Sequence, residues 1–225
     1  MLELRDVWKS SKEKRVKRWI LENVSASLPL GRRIALVGLA REDNSLVLRM
    51  LSGLAAPEKG SIRCVGLPCW PLGEISFLDM KGTFRQNANF LAHLYGVDPA
   101  ELLRFATDIA GVKLKKGSPL AHYTGPERRQ MALGLTLSLQ FDWYFIDEKL
   151  PVASPERQDM VDALIADRIS RASVIWATNR VGTVDGYCDA GLLLDQGVLT
   201  FYDDASDAYQ AYRQVIASIR GRRRK

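Results

Sequence analysis

Metal ligation and nucleophilic catalysis draw first on cysteine and histidine, and here their spacing argues against both. The three cysteines, Cys64, Cys69 and Cys188, are odd in number and contain no C-x-x-C pair, and His93 and His122 lie far from them in sequence. Buried, reduced thiols are the expectation, with neither a zinc site nor a cysteine nucleophile. Two other places stand out. The apolar run FDWYFIDE closes on the carboxylate pair Asp147-Glu148, which on its own is a common surface feature of a strand end. The apolar run RIALVG closes on Gly38 and opens into AREDNSL, a loop that carries Glu42 and Asp43.

The elements that position these residues follow from periodicity. LELRDVW and VSASLP alternate as half-buried strands, the second ending in a turn at Pro29-Leu30-Gly31. RIALVG, FDWYFID and ASVIWAT are short apolar runs of the kind that form buried strands. Ser45 to Leu54 has helical spacing, and AAPEKGSIRCVG reads as a turn followed by a strand. Thr83–Tyr95, Pro99–Ala110 and Glu127–Leu139 read as helices with few strand signals between them, which predicts a helical insertion over about 82–138. SPERQDMVDALIADRIS is an amphipathic helix with Ser154 as its expected N-cap. AGLLLDQGVLTFY predicts a hairpin turning at Asp195-Gln196-Gly197, and SDAYQAYRQVIASIR a closing helix. Buried strands alternating with helices predict an α/β fold with a mostly parallel sheet.

Composition sets the bounds. The chain has 225 residues, 47% hydrophobic and 26% charged, which excludes disordered, collagenous and disulfide-scaffold classes. No apolar run reaches the roughly 18 residues of a membrane span, and the N-terminus is polar and acidic where a secretory leader needs an apolar stretch. A cytoplasmic protein is expected, with a peripheral place on the inner membrane's cytoplasmic face compatible. Two basic clusters, Lys9–Arg18 and the terminal GRRRK, carry more than the whole net charge of +6, so the body is slightly acidic. Read as a surface loop and a tail, they suit anionic lipid or an acidic partner. Nucleic acid ranks low, because no recognition helix or aromatic platform accompanies them.

The order of these landmarks resembles an ATP-binding-cassette ATPase, the nucleotide-binding subunit of an ABC transporter, and in particular the subunits that drive capsular-polysaccharide export. The likeness rests on RIALVG…SLVLRMLSGL…PEKGSI, CWPLG…TFRQNANFLAHLYG, FDWYFIDE and YCDAGLLLDQG, and it spans nearly the whole chain. It implies a single P-loop NTPase-like cassette over 1–225, with an N-terminal antiparallel β subdomain and the helical insertion.

The resemblance also implies roles, and most of the motifs depart from the pattern. The phosphate loop G-x-x-G-x-G-K-[ST]-T falls on GLAREDNSL. Gly38 keeps the first glycine, Arg41 and Asp43 replace the other two, Asn44 stands at the lysine and Ser45 keeps the Mg²⁺ hydroxyl. Asp147 keeps the Mg²⁺ carboxylate and Glu148 the water-polarising one. Asp79 holds the glutamine-loop position and Asn179 that of the switch histidine. Trp19 falls where an aromatic stacks on adenine. The signature falls on Tyr123 to Glu127: Thr124 keeps a hydroxyl and Gly125 an N–H, while Pro126 lacks one and Glu127 adds charge. By itself, PERRQ reads as a well-capped helix start.

ATP and Mg²⁺ are therefore the implied cofactors, with binding expected to be weak or absent. The implied partners are a membrane-spanning export subunit and a second cassette, either a copy of this chain or an intact ATPase subunit. The expectation is a pseudo-ATPase of polysaccharide export. Its rivals are a working ATPase in which Arg41 replaces the lysine, and a cytoplasmic scaffold that has left transport.

Overall fold

The computed structural model describes residues 1–13 and 16–222, with the side chains of 12, 13, 16 and 220–222 left out. Lys14, Arg15 and the last three residues of the basic tail fall outside it, as do the side chains of Lys12, Arg220 and Arg222. The chain divides into two compact units. The first comprises Met1–Pro71, Asp142–Lys149 and Ala172–Lys225, and the second Leu72–Phe141 and Leu150–Arg171.

The first unit holds two sheets. β1 (Leu2–Glu13), β2 (Val16–Leu28) and β4 (Lys59–Cys64) form an antiparallel sheet in the order β2-β1-β4. The second sheet runs β5-β6-β3-β7-β8, with β3 (Arg33–Gly38), β5 (Trp143–Asp147), β6 (Ser173–Thr178) and β7 (Ala190–Asp195) parallel. β8 (Val198–Tyr202) returns antiparallel at the edge. Every residue of β6 and all of β3 beyond Arg33 are buried, as their unbroken apolar runs require. The β7–β8 turn carries positive φ at Gln196 (47°) and Gly197 (85°), the backbone a two-residue hairpin needs to match strand twist.

One apolar core joins both sheets. Leu2, Leu4, Val7 and Leu28 from the antiparallel sheet pack with Ile34, Leu36 and Phe145 from the parallel one and with Val47, Leu48 and Leu51 of α1 (Arg41–Leu51). The terminal helix α6 (Ala205–Arg222) packs on β7, where a side chain at Gly191 would collide with Ala208. Among the described residues no helix is long and apolar enough to cross a membrane. The three cysteines are free, and Cys69 and Cys188 are buried. Burial pushes the Cys188 thiol up to about 12.

The second unit is helical: α2 (Phe84–Tyr95), α3 (Pro99–Ala110), α4 (Gly125–Leu137) and α5 (Gln158–Ser170). α2 starts on a Thr83–Gln86 capping box and ends on the left-handed Gly96. α3 starts on Asp98 with Pro99 as its first residue and ends on the left-handed Gly111.

Four expectations are corrected. α1 begins at Arg41 rather than Ser45, because its first turn reaches back through the expected loop. The Lys9–Arg18 stretch is no surface loop: β1 extends to Glu13 and β2 starts at Val16. Ser154 makes no side-chain cap, since a 3₁₀ turn at Pro155–Arg157 separates it from α5. The third insertion helix starts at Gly125, two residues before the expected Glu127.

α3 and α4 approach closely through small residues. A side chain at Gly134 would run into the Ala106 carbonyl and crowd Ala110. Gly134→Ala is therefore expected to cost about 1–3 kcal/mol through overpacking, read as a lowered urea midpoint in equilibrium unfolding.

Candidate functional site

Parallel pairing brings three strand ends to one edge of the sheet. Val37 of β3 lies opposite Thr178 of β6, and Asp147 of β5 opposite Ala177. Gly38, Asp147-Glu148 and Thr178-Asn179 thus converge at the carboxyl ends of the strands, where open α/β sheets place their sites. The segment after β3 contributes the rest. Ala40 is extended, with no side chain to cap the helix, and the Asn44 N–H already donates to the Ala40 carbonyl at 3.1 Å. Residues 41–44 are the first turn of α1. Glu42 and Asp43 lie in that turn, where carboxylates offset the positive end of the helix dipole.

Each matched residue has a definite place. Asn44 is buried, 1% exposed, and turns inward. Its Nδ2 donates to the Gly38 carbonyl at 3.1 Å and to the Thr178 carbonyl at 3.2 Å, while its Oδ1 is buried without a hydrogen-bond partner. A Cβ at Gly38 would strike that Oδ1, so close approach is what demands glycine there. The Ser45 hydroxyl donates to Asp147 Oδ1 at 2.9 Å. Glu148 sits at φ 64°, an uncommon backbone for a non-glycine residue. Its N–H donates to the Ala177 carbonyl and its own carbonyl accepts from the Trp176 indole, which together hold this conformation. Its carboxylate accepts from the Asn179 N–H at 3.4 Å and the Thr178 hydroxyl at 3.5 Å. Arg41 Nε lies 4.0 Å from the same carboxylate.

Two residues at this edge escaped the sequence reading of roles. Arg18, counted there only as a surface cation, reaches from β2 to α1 and donates through both Nη atoms to the two oxygens of Asp43, each at 2.7 Å. Tyr212 of α6 donates its hydroxyl to the Asn179 carbonyl at 3.0 Å, with the Gly38 carbonyl at 3.4 Å. Burial raises the Tyr212 phenol above its ordinary range, and the Glu148 charge adds to the effect. A charge count signals Arg18 without its target, and nothing in YQAYRQ marks Tyr212.

Beside α1's start lies a cavity of about 400 Å³ lined by Arg18, Trp19, Ile20, Leu39, Asp43 and Leu194 among others. Trp19 meets the edge of Trp8 at 5.2 Å, and the Lys17 ammonium lies 4.0 Å over its ring. Lys17 also pairs with Glu58 at 3.2 Å, and Lys9 donates to the Ala56 carbonyl. Among the described residues of the N-terminal basic cluster, Lys9, Lys17 and Arg18 are thereby engaged within the chain. Glu58 is held at about 2 chiefly by hydrogen bonds from Ser10.

Asp79, Thr124 and Gly125 lie in the helical unit. Asp79 closes a turn: its carboxylate accepts from the Lys81 N–H, and its N–H and carbonyl bond the Asn87 side chain. Thr124 and Glu127 form a capping box, with the Thr124 N–H donating to Glu127 Oε2 at 2.6 Å and the Glu127 N–H to Thr124 Oγ1 at 3.3 Å. Those bonds hold the Glu127 carboxyl below its usual range. Gly125 is the first helical residue behind that cap. Among the described residues, no group of three or more His, Cys, Asp or Glu is placed to hold a metal ion.

No protein-family model matches the chain. It is 26% identical over 196 residues to the ATP-binding protein BexA of Haemophilus influenzae, covering 87% of this chain and 90% of that one. It is 22% identical over 221 residues to the polysialic acid transport ATP-binding protein KpsT of Escherichia coli, covering 96% and 99%. The capsule polysaccharide export ATP-binding protein CtrD of Neisseria meningitidis serogroup B is 24% identical over 198 residues, covering 88% and 92%. Among solved structures, an ATP-binding subunit of an ABC transporter superposes with a TM-score of 0.65 at 19% identity, covering 94% and 93%. The dimeric cassette MJ0796 bound to ADP and Pi gives 0.62 at 14%, covering 88% and 96%. The chain has the ATP-binding-cassette ATPase fold, and its sequence resembles the ATP-binding subunits of capsular-polysaccharide export.

Proposed function

We propose that this chain is the cassette component of an ABC system for polysaccharide export, of capsule or O-antigen type, and that it works as a pseudo-ATPase. One observation carries the reading: residues 41–44 form a helical turn whose Asn44 points into the protein. A triphosphate needs a curled backbone that offers several N–H groups, and a cation for its outer phosphates. The turn brings two carboxylates instead, one of them, Asp43, already ion-paired with Arg18. Asn44 bonds two backbone carbonyls where the resemblance expects a lysine. This loop does not fit a triphosphate.

The Ser45 and Asp147 oxygens, 2.9 Å apart, would still suit Mg²⁺, which would supply charge neutralisation to bound phosphates. Glu148 has kept its place without a held phosphate to act beside. Arg41 is a poor surrogate for the lysine because its charge faces Glu148. Pairing with an intact subunit would not rescue turnover, because Glu127 occupies the signature helix start with the chain's own carboxylate.

On this reading the fold acts through its surfaces. The helical unit carries a cavity of about 290 Å³ lined by Phe77, Asp79, Gln86, Asn87 and Phe90, with Phe90 65% exposed. That patch suits an apolar segment of a membrane-spanning export subunit. Contact with anionic lipid through the basic ends belongs to the same reading.

Two measurements check this. Calorimetry with Mg·ATP is expected to give no micromolar binding, and phosphate release to stay at background in both the wild type and Glu148→Gln. Wild-type turnover that Glu148→Gln abolishes would establish a working ATPase instead. Co-purification with a polytopic membrane subunit is expected, and Phe90→Asp is expected to weaken it by about tenfold. A chain that captures no such subunit is a scaffold outside transport.

A further inference from the structure

The protein's basic excess lies at its two ends, yet the helical unit carries a cationic cluster of its own. Lys113, Lys115, Lys116, Arg128 and Arg129 fall between 113 and 129, with Glu127 as the single acid in that stretch. The lysines sit on a loop that runs from the left-handed Gly111 at the end of α3 to the left-handed Gly117 (φ 69°). The buried Tyr123 pins its backbone: the phenol oxygen accepts from the Lys115 N–H at 2.7 Å, and the hydroxyl donates to the Lys115 carbonyl at 3.4 Å. The Lys115 ammonium lies 4.7 Å over the Tyr123 ring and donates to the His122 carbonyl. Its charge adds to the Thr124 hydrogen bonds that hold the Glu127 carboxyl low, so the loop lies beside the start of α4. Arg129 reaches back to that start, its Nη2 4.0 Å from where a Cβ on Gly125 would stand.

Among the described residues, the exposed side chains of Lys113, Lys116 and Arg129 have no hydrogen-bond or ion-pair partner. Leu114 stands between the lysines, 38% exposed. An apolar side chain held out among unpaired cations fits the boundary of an anionic bilayer. There the cations meet headgroups and the leucine enters the acyl edge. A protein partner would call for a larger apolar centre than one leucine, and a nucleic acid would use the cations and leave Leu114 idle. We propose that the Gly111–Gly117 loop and the opening turns of α4 form a lipid-contact surface: Lys113, Lys116 and Arg129 hold anionic headgroups while Leu114 enters the interface. This surface is separate from the basic ends and does not depend on whether ATP is used.

The probe is a phosphatidylcholine vesicle with or without phosphatidylglycerol, sedimented with the full chain at one fixed salt concentration. The wild type is expected to follow only the anionic vesicles. Lys113→Gln with Lys116→Gln is expected to weaken that binding at least about tenfold, although both basic ends remain. Arg63→Gln with Arg213→Gln removes the same charge from exposed sites elsewhere and is expected to stay within about twofold of the wild type. The fluorescence of Leu114→Trp is expected to shift to the blue with anionic vesicles alone, and Leu114→Ser to weaken binding while keeping every cation. The proposal is overturned if the lysine pair binds as the wild type does, if the distant pair loses as much, or if Leu114→Trp shows no shift while the protein sediments. An acidic peptide or DNA duplex that the wild type binds in place of the vesicles, and that the lysine pair releases, also overturns it and identifies another kind of partner.

Discussion

A helix start carries partial positive charge and donor groups that need partners, and much of this protein's character follows from where those partners come from. At α1 the first turn contains Glu42 and Asp43, with Arg18 balancing Asp43. At α4 the Thr124–Glu127 box uses the chain's own hydroxyl and carboxylate. In a cassette these are the two helix starts expected to face phosphate. Here each has a carboxylate in its first turn, so the donors and dipoles are already offset by local chemistry.

Supplying the charge internally also changes the backbone. A glycine-rich loop stays curled because glycine accepts positive φ and because the bound phosphates satisfy its N–H groups. With alanine, arginine, glutamate and aspartate at 40–43, regular helix is the accessible alternative, and α1 takes it from Arg41 onward. Asn44 then falls on the buried side of the turn. Its amide bonds two strand-end carbonyls, which ties α1 to both β3 and β6. Tyr212 adds a third tie, from α6 to the same strand ends. The edge is well braced, and its remaining acids, Asp147 and Glu148, keep their positions through backbone and hydroxyl contacts.

The fold was largely legible in advance, and the reasons are local. The buried strands announced themselves as unbroken apolar runs, and the Gln196-Gly197 turn by its residue types. The insertion helices α2 and α3 showed in their apolar spacing; α2 starts one residue after the expected Thr83, which caps it, and α3 starts at the expected Pro99. The start of α1 was not, because a resemblance to a loop outweighed the helix-forming character of AREDN. The basic stretch Lys9–Arg18 misled for a similar reason. Charge density suggested a solvated loop, whereas strand pairing with cross-strand partners holds much of it in a sheet.

By itself the sequence determined which strands are buried and which bulky and acidic residue types follow Gly38, because those properties belong to residue types and their spacing. The tertiary structure alone decided that Arg18 meets Asp43, that Asn44 lies under Gly38, and that Tyr212 hydrogen-bonds a strand end distant in the chain. These contacts join residues separated by up to 174 positions or lying on different elements. Their partners are chosen by sheet register and helix packing, which no local pattern of residues encodes.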